Sequence, residues 1–272
     1  MNGLKQQSQC VLITGASGGI GEALAFCFAK NGYKLVLVAR NQNKLERVAE
    51  QCRQFSQQTP LIIVADLAQH DAAYTLYQQV KDANISVDIL INNAGIGSWG
   101  NFAELQLQEH ERVIQINLLA VVQLSRLFVT DMVLRRAGQI VNIASVYAYC
   151  PVPHQAIYAA SKAFMLSFSG ALANELHDSG VSITAICPGT TLTGFRKSVI
   201  GTEKSTMFTM SATEVAELTY TKIQQKVVVY TPGVINKLFV FITRLFPMRQ
   251  LLATVNWLVY KVRGYKKLTD KT

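Results

Sequence analysis

The feature that most narrows the fold of this 272-residue chain comes early. The apolar run Cys10-Val-Leu-Ile-Thr14 passes without a spacer into Gly15-Ala16-Ser17-Gly18-Gly19-Ile20-Gly21. The helical pattern Glu22-Ala-Leu-Ala-Phe-Cys-Phe-Ala29 follows at once. Strand, glycine turn and helix N-terminus in that order make a cradle for an anion. The first N–H groups of a helix lack intrahelical partners, and the positive end of its dipole faces the turn. Gly15 permits the tight turn, while Gly19 and Gly21 allow close backbone approach. Without a ligand the same parts would be an ordinary strand–helix turn, so the rest of the chain decides between the two readings.

Strand-like apolar runs recur downstream with helical stretches between them: Leu35–Ala39, Leu61–Leu67, Val87–Asn92, Ile140–Ala144 and Val181–Cys187. Unbroken apolar runs of this length suit strands buried on both faces. Their alternation with helices requires parallel pairing and right-handed crossovers. The expected fold class is α/β, a single doubly wound (Rossmann-type) parallel sheet with helices on both faces and its ligand at the carboxyl edge. Half the residues are apolar and 16% are charged, a composition that excludes disorder. No linker, repeat or low-complexity block divides the chain. Residues 1–231 are expected to form the domain, with 232–272 a C-terminal helical extension of the same unit or a contact region.

Polar residues gather where the strands end. An acid about twenty residues beyond the glycines would accept from a ribose 2′-hydroxyl. Here Ala39 and Arg40 stand at that strand end, and guanidinium matches a 2′-phosphate, with Lys44 adding a second cation. NADP(H) is therefore the expected cofactor, unless Arg40 and Lys44 are only surface charges on the following helix. Asp66, next to Leu67, either accepts from an adenine amino group or caps a helix beginning near Gln69. Asn92-Asn93-Ala94-Gly95 closes the next strand with small groups that can approach a cofactor. Asn117 sits within an apolar stretch of a helix expected from about Leu107 to Arg136. It needs buried partners, and could simply cap a neighbouring backbone group. Pro188-Gly189-Thr190-Thr191-Leu192-Thr193 reads as a loop beside a nicotinamide.

Tyr158 and Lys162 stand four apart in a helical stretch, so both fall on one face. An ammonium beside a phenol favours the phenolate and draws its pKa down. Ser145, just past the strand Ile140–Ala144, could meet the tyrosine hydroxyl across a strand–helix gap.

Taken together, Thr14-Gly-Ala-Ser-Gly-Gly-Ile-Gly21, Asn92-Asn93-Ala94-Gly95, Asn117, Ser145 with Tyr158-x-x-x-Lys162, and Pro188-Gly189 resemble the short-chain dehydrogenase/reductase (SDR) family over roughly Val11 to Thr193. The resemblance implies an NADP-preferring oxidoreductase that transfers hydride between nicotinamide and a carbonyl or secondary alcohol. It implies Tyr158 as general acid-base and Ser145 as the group polarising the carbonyl. Lys162 would bind the nicotinamide ribose and lower the tyrosine pKa, and Asn117 would hold a water linking that lysine to a proton relay. The implied cofactor contacts run through Gly15, Ser17, Gly18, Gly19, Ile20 and Gly21, then Arg40, Lys44, Asp66 and Leu67. They continue through Asn93, Ala94, Gly95, Tyr158, Lys162, Pro188, Gly189, Thr191 and Thr193. No metal is expected, because His70, His110, His154 and His177 lack ligand spacing; His154 either touches substrate or is a loop histidine. Family members are usually homodimers or homotetramers. An epimerase or dehydratase is disfavoured by the lack of a large sugar-nucleotide subdomain, and a nucleotide sensor without turnover by the intact Ser145, Tyr158 and Lys162.

Beyond Thr193, Gly194 to Met210 reads either as a lid, with Phe195, Met207, Phe208 and Met210 available to cover an apolar ligand, or as a plain surface loop. Ser211 and Glu214 form a capping box for a helix from Ala212 to about Gln225, and Val227–Thr231 reads as a last strand. The pairs Val234/Ile235, Leu238/Phe239, Phe241/Ile242 and Leu245/Phe246 then recur at helical spacing, with Asn236, Lys237, Thr243 and Arg244 opposite. A second apolar set, Leu251, Leu252, Val255, Leu258, Val259 and Val262, ends among Lys261, Arg263, Lys266 and Lys267. From Lys222 to Thr272 ten Lys/Arg face one acid, Asp270, so the whole formal charge of +9 belongs to this part. It reads either as a basic amphipathic surface for a membrane or acidic partner, or as a hairpin packed on its own domain or across a dimer. Nucleic acid is not expected, since the spacing is apolar. The resemblance extends loosely to reductases of long acyl or lipid-like ketones. With no apolar leader in the first residues, no uncharged apolar run of about 18 residues and five cysteines without a framework, the expected location is cytoplasmic, with or without contact to the inner face of a membrane.

Overall fold

The computed structural model describes residues 9–56, 58–195 and 209–263. Seven parallel strands form one sheet in the order β3-β2-β1-β4-β5-β6-β9. They are β1 (Cys10–Thr14), β2 (Lys34–Ala39), β3 (Leu61–Val64), β4 (Ile89–Asn92), β5 (Gly138–Ile143), β6 (Val181–Ile186) and β9 (Val229–Tyr230). The order reverses between β1 and β4, which pair through Val11–Ile89, Leu12–Leu90 and Ile13–Ile91. A crevice opens at the carboxyl ends of strands at such a reversal. The short pair β7 (Thr191–Leu192) and β8 (Met210–Ser211) lies apart from the main sheet.

Alternate residues of each strand feed opposite cores, which is why the strands are apolar throughout. Val11 and Ile13 pack with Leu24 and Phe28 of α1 (Gly19–Lys30) and with Leu45 and Val48 of α2 (Gln42–Arg53). Cys10 and Leu12 pack on the other side with Leu76 of α3 (Ala72–Asp82) and with Leu124 and Phe128 of α5 (Ala120–Leu134). Helices α4 (Leu107–Ile114), α6 (Ala156–Glu175), α7 (Ala212–Gln224), α8 (Val234–Leu245) and α9 (Met248–Arg263) complete the chain. Ser211 and Glu214 make the expected capping box on α7. Among the described residues two helical stretches, Leu107–Leu134 and Ala156–Glu175, are long and apolar enough to cross a membrane. Their apolar residues include Phe128, Met132 and Met165, which are buried in the protein's own core.

Several boundaries differ from expectation. The helix from Leu107 is not uniform: α4 passes into a π-helical segment, Gln115–Leu119, before α5. β3 stops at Val64, and Asp66 caps no helix. Its Oδ1 accepts from the Ala68 N–H in a tight turn, and α3 starts only after Asp71. The last strand is shortened to Val229–Tyr230, which pairs with Ala185 and Ile186 of β6.

Candidate active site

The turn after β1 is locked before any ligand is considered. Thr14 Oγ1 donates to Ile91 O and accepts from the Asn93 and Ala94 N–H groups, while the Asn93 side chain donates to Thr14 O and Gly15 O. Gly15 holds φ +68, and a Cβ there would lie 2.9 Å from the Ala94 Cα. A Cβ on Gly21 would collide with the Gly15 carbonyl and the Asn93 amide, so Gly21 lets α1 sit against the turn. α1 starts with no side-chain cap, and space in front of Gly18 is open for 4 Å. A capless helix N-terminus facing open space fits a phosphate-bearing cofactor.

That turn forms one end of a cleft of about 1080 Å³ that runs along the carboxyl edge of the sheet. The cleft is lined by Gly15, Ser17, Gly18, Gly19, Ile20, Arg40, Lys44, Asp66 and Leu67. Past the strand reversal it continues with Asn93, Ala94, Gly95, Ser145, Tyr158, Lys162, Pro188, Gly189, Thr191 and Thr193. Gly21 and Asn117 stand behind the wall. Arg40 and Lys44 are exposed and form no ion pair among the described residues, which leaves both free for a phosphate. Asn41 caps α2 by accepting from the Lys44 N–H, fixing the backbone that carries both cations. Asp66 is held by Arg112, whose guanidinium donates to Oδ2 at 3.2 Å, so the third strand end contributes a pair and not a lone acid.

At the other end, Ser145 follows β5 and accepts from the Tyr147 N–H at the start of a 3₁₀ turn, Val146–Tyr149. The Val146 N–H donates to Pro188 O, tying this turn to the loop after β6. Tyr158 and Lys162 lie on the same face of α6, 8% and 4% exposed. The Lys162 amine donates to Ile143 O at 2.8 Å and stands 5.6 Å from the Tyr158 ring centroid. Burial holds the Tyr158 phenol above the usual tyrosine range, against the lowering effect of its hydrogen bond with Ser145. Burial also pushes Lys162 down to about 8, partly offset by Cys187. The expectation that the lysine draws the phenol down is corrected here: desolvation dominates both groups, and the phenol is protonated at neutral pH.

Asn117 is fully buried in the π segment. Its Oδ1 accepts from the Ile96 N–H, and its Nδ2 donates to Ile96 O and to Ser161 Oγ. It clamps the loop after β4 to α6 one residue from Lys162. His154 lies outside the main cleft, at φ +64, with its ring 5.9 Å from Trp99. Phe195 approaches the Tyr158 ring to 5.7 Å, whereas Met207 and Phe208 lie outside the described residues. Asn41, Arg112 and Gln155 line the cleft without having been singled out in the sequence. Asn41 carried a usable signal, an Asx residue just before a helix; the Asp66–Arg112 pairing carried none.

A dinucleotide-sized crevice with an uncapped helix at one end and a serine, tyrosine and lysine at the other defines a Rossmann-type oxidoreductase site. The chain belongs to the short-chain dehydrogenase/reductase family: the family model described as "short chain dehydrogenase" matches residues 9–204. It is 37% identical over 179 residues to the ketoacyl reductase HetN of Nostoc sp., a match covering 66% of this chain and 62% of that protein. It thus spans less than two thirds of the length of that relative. Over 267 residues it is 33% identical to estradiol 17-beta-dehydrogenase 11 of Rattus norvegicus, covering 95% of this chain and 87% of that protein. Among solved structures it superposes with TM-score 0.78 and 32% identity on a short-chain dehydrogenase from Sphingobium yanoikuyae in complex with NADPH, covering 83% of this chain and 88% of that one.

Proposed function

We propose that the protein is an NADP(H)-dependent oxidoreductase acting on a carbonyl or secondary alcohol of an apolar, acyl- or lipid-like substrate, with Tyr158 as general acid-base. The observation that carries this reading is the convergence of Ser145, Tyr158 and Lys162 on the cleft that starts at the Gly15–Gly21 turn. Arg40 and Lys44 would hold a 2′-phosphate, the uncapped start of α1 the pyrophosphate, and Lys162 the ribose hydroxyls next to the nicotinamide. Bound there, the reduced cofactor supplies the hydride. The Tyr158 hydroxyl, kept protonated by burial, gives its proton to the substrate oxygen, and Ser145 donates a second hydrogen bond to that atom. Positioned proton transfer contributes roughly 10²–10⁴-fold, and stabilising the developing oxyanion adds a comparable factor. Asn117 keeps the Lys162 region of α6 fixed against the loop after β4.

An apolar substrate is supported by Phe195 and Tyr147 flanking Tyr158, and by the ketoacyl and estradiol activities in the relatives' names. The same reading makes the protein a cytoplasmic homodimer or homotetramer, with reversible membrane contact through its basic tail. The test is fluorescence titration with NADPH and NADH, with and without Arg40→Ala, followed by a ketone screen. Tight NADPH binding that falls to NADH-like affinity in the variant is expected. Failure to bind either cofactor overturns the enzyme reading, and turnover of small polar ketones without long-chain ones overturns the substrate class.

A further inference from the structure

α8 presents its apolar face outward. The sequence leaves open whether its apolar pairs face a membrane or partner or pack on the domain. The structure buries Thr243 with Val240 and half-buries Asn236 with Phe239, leaving the apolar majority outside. Val234 is 82% exposed, Leu238 56%, Phe241 59% and Leu245 62%. These four recur every three or four residues, so they form one stripe along the helix. Exposed Ile235 and Ile242 widen it, and exposed Phe246 and Met248 extend it around the elbow into α9. Lys237 and Arg244, also exposed, run along one border of the stripe. A contiguous apolar stripe of this size is unusual on a soluble surface.

The inner face explains why the helix is held this way. The Asn236 side chain donates to Pro232 O and lies so close to Gly189 that a Cβ there would collide with it. Phe239 packs in the cluster of Tyr147, Cys150, Val152, Leu251 and Val255, while Arg244 lies 5.8 Å over the Tyr149 ring. α8 is therefore pinned against the catalytic end of the cleft through its more polar side.

We propose that the outer stripe of α8 lies in the headgroup region of an anionic lipid bilayer and holds the mouth of the cleft against it. This deepens the reading of a reductase for apolar substrates and rests on it only for the benefit of drawing substrate from the lipid. Charge selects the occupant. Ten Lys/Arg against one acid from Lys222 onward match an anionic surface, whereas a second copy would bring like charges together. Nucleic acid would use the charge but leave the apolar stripe in water.

The test is sedimentation of the purified full-length protein with vesicles of phosphatidylcholine alone and of phosphatidylcholine with 30 mol% phosphatidylglycerol, compared with the double variant Leu238→Asp/Phe241→Asp. Expected is at least tenfold stronger partitioning to the anionic vesicles, lost in the variant. NADPH fluorescence and turnover of a water-soluble ketone should be unchanged in that variant, so a failed reductase reading would be seen separately. No vesicle binding by the native protein, or equal binding by the variant, overturns the proposal. A variant whose only change is a smaller particle in light scattering overturns it too, by showing the stripe to be a self-interface.

Discussion

The Lys162 amine donates to the carbonyl oxygen of Ile143 at 2.8 Å from a side chain that is 4% exposed. The bond fastens α6 to the end of the strand that delivers Ser145, so the groups proposed for catalysis are assembled by the fold itself.

The fold bears a cost for that lysine. Burial lowers its pKa from the ordinary lysine range to about 8, so charging it opposes folding at lower pH, and the penalty fades as pH rises through about 8 toward the unfolded value. Lys162→Met should abolish turnover and yet raise the melting temperature of the cofactor-free protein at neutral pH by several degrees. The underlying gain is on the order of 1–3 kcal/mol after losing the bond to Ile143. Calorimetry across pH checks the sign: the gain should shrink toward about pH 10, and a variant less stable than native at neutral pH would contradict it.

Reduction and oxidation should respond to pH in opposite ways. With the phenol held above its usual range, Tyr158 remains the proton donor throughout, so kcat/KM for ketone reduction should be level through neutral pH and fall as Lys162 loses charge near 8. Alcohol oxidation, which needs the phenolate, should gain only above that interval, because burial holds the phenol above the usual tyrosine range. A reduction rate that rises with pH would count against this assignment. Tyr158→Phe should cut kcat by roughly 10²–10⁴-fold while leaving NADPH affinity within a few-fold.

Two glycines of the same turn should fail differently. Gly21→Ala forces a methyl into the Gly15 carbonyl and should destabilise the cofactor-free protein by about 1–3 kcal/mol. Gly18→Ala meets nothing within 4 Å, so its melting temperature should hold while NADPH binding weakens as the methyl enters the cradle. Thermal melts paired with titrations separate the cases.

Asn117→Ala removes one acceptor and two donated bonds, leaving the half-buried Ile96 N–H and carbonyl without their partner. A loss of about 2–4 kcal/mol is expected, with kcat falling more than NADPH affinity because the loop after β4 and the Lys162 turn lose their common anchor. Equal kcat in native and variant protein would show the clamp to be dispensable.

The glycine turn, the alternation of strands and helices in a doubly wound parallel sheet and the Ser145–Tyr158–Lys162 trio were legible because each rests on local signals: an apolar run, a break, a fixed spacing. What escaped is what depends on distance in the chain. The Asp66–Arg112 pair joins residues 46 apart, and nothing near either announces the other. The π segment around Asn117 was hidden because one widened turn scarcely alters helical periodicity. The direction of Tyr158's pKa shift was misjudged because spacing reports a neighbouring charge but says nothing of how dry the pair is. α8 shows the same limit: periodicity revealed that it has two faces, and only packing against Gly189 and Tyr147 decided which turns outward.

The sheet grows outward from β1, and chain order follows that growth. Every cleft-lining residue, from Gly15 to Phe195, precedes α8 in the sequence. During synthesis the pocket-forming strands β1 to β6 therefore leave the ribosome before the outward-facing stripe of α8 does. The nascent chain can bury its own apolar strands, and be offered cofactor, before it displays its most adhesive surface.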